Sequence, residues 1–271
     1  MRSLLRWLGL LLLTGVFSAC LPAGDLNAPL ADTPTPPPTG TPTPTIVWFP
    51  PTPTRTPPPT QPFVPTPTPQ LGKDQILLED DFSQREAWVT SRTSAGSAAY
   101  GVDELTLAVA SRRAYLVSLR RSPPFKDFYL EMSTRVSLCQ AEDQYGLLLR
   151  AADEWNYYRW VITCDGRTRL ERVQQGAFVV VQDWLESPRI QAGALAENRL
   201  GVWMFGREMR FFVNDLELFS ARDPVWDEGL VGVFVRAAGE PPLTVSFDDL
   251  LVWSLDRTRI PTSTPVPTTA P

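Results

Sequence analysis

Between residues 79 and 254 the chain alternates apolar and polar positions with a period of two. In YLEMSTRVSL, Leu130, Met132, Thr134, Val136 and Leu138 alternate with Glu131, Ser133, Arg135 and Ser137. In YYRWVIT, Tyr158, Trp160 and Ile162 alternate with Tyr157, Arg159 and Val161. RLGVWMF and MRFFVND repeat the habit, and AFVVVQDW, GLVGVFV and LTVSFDDLLVWSL add further short runs. This spacing predicts half-buried strands. Turn residues fall between them: Asp165-Gly166, Gly176, Gly206, Asn214-Asp215 and Pro241-Pro242. No stretch of a dozen residues carries a helical stripe, and Ala192–Arg199 reads as one helical turn or a loop. Many short strands at close spacing predict an all-β, two-sheet antiparallel sandwich or jelly roll over residues 74–256, with Trp160, Phe247 and Trp253 pointing inward.

Both flanks have a different composition. Arg2 and Arg6 precede an apolar run from Leu4 to Val16, which ends in Phe17-Ser18-Ala19-Cys20. A basic start, a short apolar stretch and small residues describe a secretory signal peptide, here residues 1–19. The run is too short to span a bilayer, which takes about 20 residues. FSAC is similar to a bacterial lipobox, with Phe17 where Leu is usual. The resemblance implies lipidation of Cys20, and the alternative is an ordinary cleaved signal with an incidental cysteine. Residues 20–73 are dominated by proline and threonine, which forbid helix and sheet interiors and favour an extended stalk at about 3.1 Å per residue. Residues 257–271 repeat that composition. The central domain is therefore expected between disordered Pro/Thr-rich segments, exported and lipid-anchored on the outer face of the cell membrane.

Cysteine count and charge narrow the chemistry. Of three cysteines, Cys139 and Cys164 remain as a pair once Cys20 is set aside, and an oxidising compartment lets them close. The alternative is two free thiols. The net charge is −5 with no basic run, so nucleic acid is not an expected partner. With no histidine in the chain, Ser-His-Asp and Cys-His arrangements and the common zinc sites are excluded. Phosphate-binding glycine loops and EF-hand loops are absent as well.

DDFS (Asp80–Ser83) followed by Trp88 resembles an opening strand of the concanavalin A-like lectin and glucanase jelly rolls. The resemblance extends to the extracellular bacterial branch with 3-keto-disaccharide hydrolase-like and laminin-G-like domains. FKDFYLEMSTRV, YGLLLRAADEWNYYRWVITCDG, NRLGVWMFGREMRFFVND and GLVGVFV…VSFDDLLVW follow in that family's order. It implies the jelly-roll fold over nearly all of residues 79–254. It does not specify function, because the same sandwich hosts lectins, glycosidases and spacers. In such folds the first and last strands often pair, which would gather Asp80, Asp81, Asp248 and Asp249. Two readings follow: a structural calcium ion held by these carboxylates, or strand-end caps accepting backbone N–H bonds. No other cofactor is expected.

The glucanases of this fold resemble one another in an E-x-D-x-E strand, and it is absent here; LEMSTR holds Glu131 alone. A non-enzymatic binding module is therefore the expectation. A sugar site needs a flat aromatic for the apolar ring face and planar donors for hydroxyls. Arg135, Arg150, Trp155, Tyr157 and Arg159 are the candidates. The competing reading is an outer sheet face covered by arginine stems and ion pairs, Arg135 with Glu131 for example. The expected function is a lipid-anchored monomer at the cell surface recognising a glycan or other extracellular ligand. The alternatives are a structural or protein-interaction module and a glycoside hydrolase using two carboxylates about 5–10 Å apart.

Overall fold

The period-two segments become strands joined by tight turns. The computed structural model describes residues 71–259. The expected signal peptide, Cys20, the stalk up to residue 70 and the tail from residue 260 lie outside the described residues. The strands are β1 (Lys73–Asp80), β2 (Ser91–Thr93), β3 (Gly96–Tyr100), β4 (Leu105–Val109), β5 (Tyr115–Leu119), β6 (Phe128–Leu138), β7 (Gln144–Asp153) and β8 (Asn156–Thr163). They continue as β9 (Arg167–Gln174), β10 (Ala177–Glu186), β11 (Glu197–Phe205), β12 (Glu208–Val213), β13 (Leu216–Arg222), β14 (Leu230–Arg236) and β15 (Leu243–Leu255). A single 3-10 turn, Arg257–Arg259, follows. The segment read as a helical turn or loop, Ala192–Arg199, is a loop that runs into β11.

Two antiparallel sheets form the expected jelly-roll sandwich. One has nine strands in the order β13-β12-β11-β6-β15-β4-β3-β2, with β1 also on β15. The other has six, in the order β10-β9-β8-β7-β14-β5. β15 serves two partners on one edge, β4 through Leu243–Phe247 and β1 through Leu250–Leu255. The first and last strands thus pair, with Lys73 opposite Leu255 and Asp80 opposite Leu250. The Asp256 N–H also donates to the Gly72 carbonyl at 2.8 Å.

The core follows from the alternation. Leu130, Met132 and Val136 of β6 and Met209, Phe211 and Val213 of β12 share one buried cluster with Tyr145, Leu147 and Leu149 of β7 and Tyr158, Trp160 and Ile162 of β8. The rings of Trp160 and Phe211 lie 5.1 Å apart across the two sheets. Burying a side chain of this size contributes about 1.5–3 kcal/mol. The Trp160 indole N–H donates to Thr168 Oγ1 at 2.8 Å, so its polar atom is satisfied in the core. Gly146 leaves room where β7 passes β8: at its φ of 149°, a Cβ would lie 2.0 Å from the Trp160 carbonyl oxygen.

Two expectations about direction change. Trp253 does not point inward. On β15 the inward positions are Leu243, Val245 and Phe247, then Leu250 and Val252. An extra residue at Asp248–Asp249, where Asp249 has a φ of 49°, shifts the pairing with β6 from Asp248 opposite Ser133 to Leu251 opposite Glu131. The parity flips, and Trp253 joins Tyr129, Trp203 and Phe212 on the other face of the nine-stranded sheet. Leu138, at the end of β6, is exposed rather than buried. A disulfide joins Cys139 to Cys164, with Cα atoms 6.2 Å apart and a sequence separation of 25. It ties the segment after β6 to the end of β8, and a loop of this length contributes about 3–4 kcal/mol in the chain-entropy account.

Candidate functional site

The outer face of the six-stranded sheet is built by the second half of the same alternation. On β8, Tyr157, Arg159 and Val161 lie opposite in direction to Tyr158, Trp160 and Ile162. Their register partners on β9 are Val173, Glu171 and Arg169. Leu148, Tyr157, Val161, Val173 and Phe234 form a buried apolar floor, with Tyr115, Val117, Leu119 and Trp184 packed against it. A polar row crosses the neighbouring strands, Arg236 opposite Gln144 and Gln144 opposite Thr163.

Charge is concentrated on this floor. Arg159 donates to Glu171 from Nε at 2.7 Å, and from Nη2. Arg169 donates to the second oxygen of the same carboxylate. One buried acid therefore serves two arginines. The Arg159 guanidinium also lies 5.5 Å from the Tyr115 ring centre and 5.6 Å from that of Phe234. Arg169 and Arg167 lie 4.5 Å and 5.2 Å from the Trp184 ring centre. Burial, followed by repulsion from Arg159, pulls the Arg169 pKa down from its ordinary value. The Tyr115 hydroxyl is held well above the usual phenol range by burial and by its neighbour Tyr157, 3.0 Å away. At the Thr163 end of β8 a hollow of about 340 Å³ opens between Glu142, Gln144, Thr163, Arg167, Arg169, Trp184, Arg236 and Ala238. It combines a partly exposed indole with three guanidinium groups, an amide and a hydroxyl.

The outer face of the nine-stranded sheet is different. A hollow of about 450 Å³ is lined by polar side chains that include Ser133, Arg135, Glu197, Arg199, Asp215 and Asp248. Its charges mostly satisfy each other. Arg135 reaches Glu197 at 3.1 Å, Glu104 at 3.3 Å and Asp248 at 3.4 Å, and Arg199 pairs with Asp215. Burial, then the neighbouring Asp249 carboxylate, raises the Asp248 pKa above its ordinary value. Glu131 accepts from Lys73 Nζ at 2.7 Å, and that ammonium sits 3.9 Å from the Tyr129 ring centre. The expected pairing of Arg135 with Glu131 does not form: Glu131 pairs with Lys73 of β1, and Arg135 with Glu197 of the adjacent β11.

The five residues expected from the sequence to share a ligand face do not converge. Tyr157 and Arg159 do share the outer face of the six-stranded sheet, but both are buried in it. Trp155 is exposed at the β7–β8 hairpin, beside Gly176 in the β9–β10 turn, at the end of the sheet away from the hollow. Arg150 is a correction. It is fully buried, with a φ of 48° at an irregularity in β7, and its side chain leaves the face. Nη1 donates to the carbonyls of Gly206 and Trp226 at 2.8 and 3.0 Å, and Nη2 to that of Lys126 at 2.7 Å. It fastens three loops together. Arg135 lies on the other sheet.

The aspartates are brought near one another as expected from the pairing of β1 with β15. Asp80, Asp81 and Asp249 line one small hollow, and Asp248 and Asp249 the larger one. Two of the four carboxylates accept hydrogen bonds from the neighbouring backbone. Asp80 is buried and its oxygens are engaged: Oδ1 accepts from the Phe82 N–H at 2.9 Å, and Oδ2 from Trp88 Nε1 at 3.1 Å and Arg120 Nε at 2.8 Å. Asp81 accepts from the Ser83 N–H at 3.0 Å. Among the described residues no three of His, Cys, Asp or Glu are grouped so as to hold a metal ion. Asp80 and Asp81 act as strand-end caps.

Sequence reasoning missed Trp184, Arg167, Arg169, Glu171 and Arg236. The signal for most of them lies in RTRLERV, where Arg167, Arg169, Glu171 and Val173 alternate with Thr168, Leu170 and Arg172.

No family model matches the sequence, and no curated protein matches it. Solved structures do resemble the fold. The carbohydrate-binding module CBM66 from Bacillus subtilis superposes with a TM-score of 0.52 at 18% identity, covering 62% of this chain and 96% of that one. A Bacillus subtilis protein of unknown function with a galectin-like fold gives 0.51 at 15% identity, covering 68% and 99%. A Bacillus licheniformis β-glucanase gives 0.49 at 7% identity, covering 66% and 98%. The first two likenesses, at this identity, establish architecture alone: the chain carries a two-sheet jelly-roll sandwich.

Proposed function

We propose that this protein is a glycan-binding module, exported and held at the outer face of the cell membrane by lipid on Cys20. The observation that carries the binding reading is the hollow beside Trp184, where a partly exposed indole stands next to Gln144, Thr163 and Arg236. An indole offers a flat apolar surface to the C–H face of a pyranose, and planar amide and guanidinium groups offer donors to its hydroxyls. The resemblance to a carbohydrate-binding module supports the same reading. Glu131, the carboxylate that a hydrolase reading would use, is paired with Lys73. The export reading rests on the basic, apolar and small-residue order before Cys20, and the Cys139–Cys164 disulfide suits an oxidising compartment.

A second reading, a protein-interaction module of the envelope, is favoured by one feature. β10 is the edge of the six-stranded sheet and exposes Phe178, Val179 and Val180 in succession. Such an edge can accept a further strand.

Binding of the purified full-length protein to a glycan array, with Trp184→Ala alongside, separates the two. Retention of a defined sugar class that is lost in Trp184→Ala supports the glycan reading. A blank array overturns it. Incorporation of labelled fatty acid, abolished in Cys20→Ala, tests the anchor.

A further inference from the structure

We infer that the hollow beside Trp184 takes an anionic sugar unit, one carrying a carboxylate or a sulfate; this rests on the glycan reading above. Three guanidinium groups and one carboxylate line the hollow, in a chain whose net charge is −5. With Arg159, Asp165, Glu171 and Asp183 close by, four guanidinium groups meet four carboxylates in all, a neutral patch on an acidic chain. The acids present are already shared out. Glu142 and Asp165 are both bound to Arg167. Glu171 is buried and divided between Arg159 and Arg169. Asp183, exposed on β10, is the remaining acid close enough to act on Arg169. Arg236 has no acidic partner among the described residues and is exposed at the end of β14. The Nε of Arg169 is buried without an acceptor.

A neutral sugar leaves Arg236 without a counter-charge. An anionic oxygen group neutralises it, and the planar forks of arginine match a carboxylate or sulfate with two parallel hydrogen bonds. The ring of the same sugar unit then lies against the exposed part of Trp184, while Gln144 reaches its hydroxyls.

Affinity electrophoresis of the full-length protein tests this with matched gels: polygalacturonate against its carboxyl-reduced neutral form, and dextran sulfate against dextran. We expect retardation at least about tenfold stronger on one of the anionic gels than on its neutral counterpart. The carboxylate and sulfate gels tell the two sources apart, and either supports the assignment. Arg236→Gln should remove most of the preference, while Arg85→Gln, on the loop after β1, should leave it intact. Equal loss in both variants would mean general charge attraction and would overturn the proposal. Preference for the neutral gels would overturn it too, yet leave glycan binding standing. No retardation on any gel would overturn both.

Discussion

Glu171 lies directly across from Arg159 and accepts its guanidinium at 2.7 Å, with both side chains buried in the outer face of the six-stranded sheet. The pair stiffens the floor on which the hollow beside Trp184 is built. A buried ion pair gives little net stability over an apolar pair, but losing one partner is costly because the other charge is stranded.

Glu171→Ala leaves Arg159 and Arg169 facing each other without their shared acid. We expect it to cost about 3–5 kcal/mol in denaturant unfolding. The double variant Arg159→Met, Glu171→Leu should recover most of that loss. A Glu171→Ala protein with unchanged unfolding midpoint would show that the pair carries no such role.

Trp184→Ala should weaken glycan retention by about tenfold, the loss expected for one stacking aromatic. Its unfolding midpoint should fall only slightly, since Trp184 is partly exposed. Unaltered retention would remove Trp184 from the site.

Asp80 is held by Arg120 and Trp88. Chelator should therefore leave the thermal midpoint unchanged, whereas Asp80→Ala should lower stability by about 3–5 kcal/mol. A chelator-induced drop of several degrees would restore a calcium site at the β1–β15 ends.

Asp248 has a folded-state pKa raised above its ordinary value by burial and by Asp249. The folded protein therefore takes up this proton before the unfolded chain does. The contribution of Asp248 to stability improves as pH falls from neutral through the folded pKa toward the ordinary aspartate value. Asp248→Asn should flatten the stability profile in that acid window and should be neutral or stabilising at pH 7. Parallel profiles for the two proteins would contradict this.

Reduction of the Cys139–Cys164 disulfide should cost about 2–5 kcal/mol, seen as a lower denaturant midpoint with dithiothreitol present. The same loss in Cys139→Ser, now insensitive to dithiothreitol, would confirm the source.

Alternation made much of the fold legible. Tyr158, Trp160 and Ile162 are buried between the sheets, and Tyr157 and Arg159 face the other way, as their parity requires. Legibility failed where parity breaks. The irregularity at Asp248–Asp249 turned Trp253 outward, and the one at Arg150 drew that side chain away from Tyr157 into the loops. A pattern read along one strand cannot register an extra residue that only its partner strand defines. The hollow was hidden for a related reason. Arg236, Gln144, Thr163 and Trp184 come from four strands and meet only through lateral pairing. The apolar run Phe178–Val180 lies on a sheet edge and is exposed among the described residues.

The pairing of Lys73 with Leu255 has a mechanical consequence. Tension applied between the segments entering at β1 and leaving at β15 acts at neighbouring points, along the cross-strand hydrogen bonds rather than along the strands. Such a pull opens β1 from β15 like a zipper, one residue pair at a time, beginning where the chain enters. Gly72 and Asp256, linked by their backbone hydrogen bond, are the first contact to part, and the pairings of the six-stranded sheet are the last to feel the load.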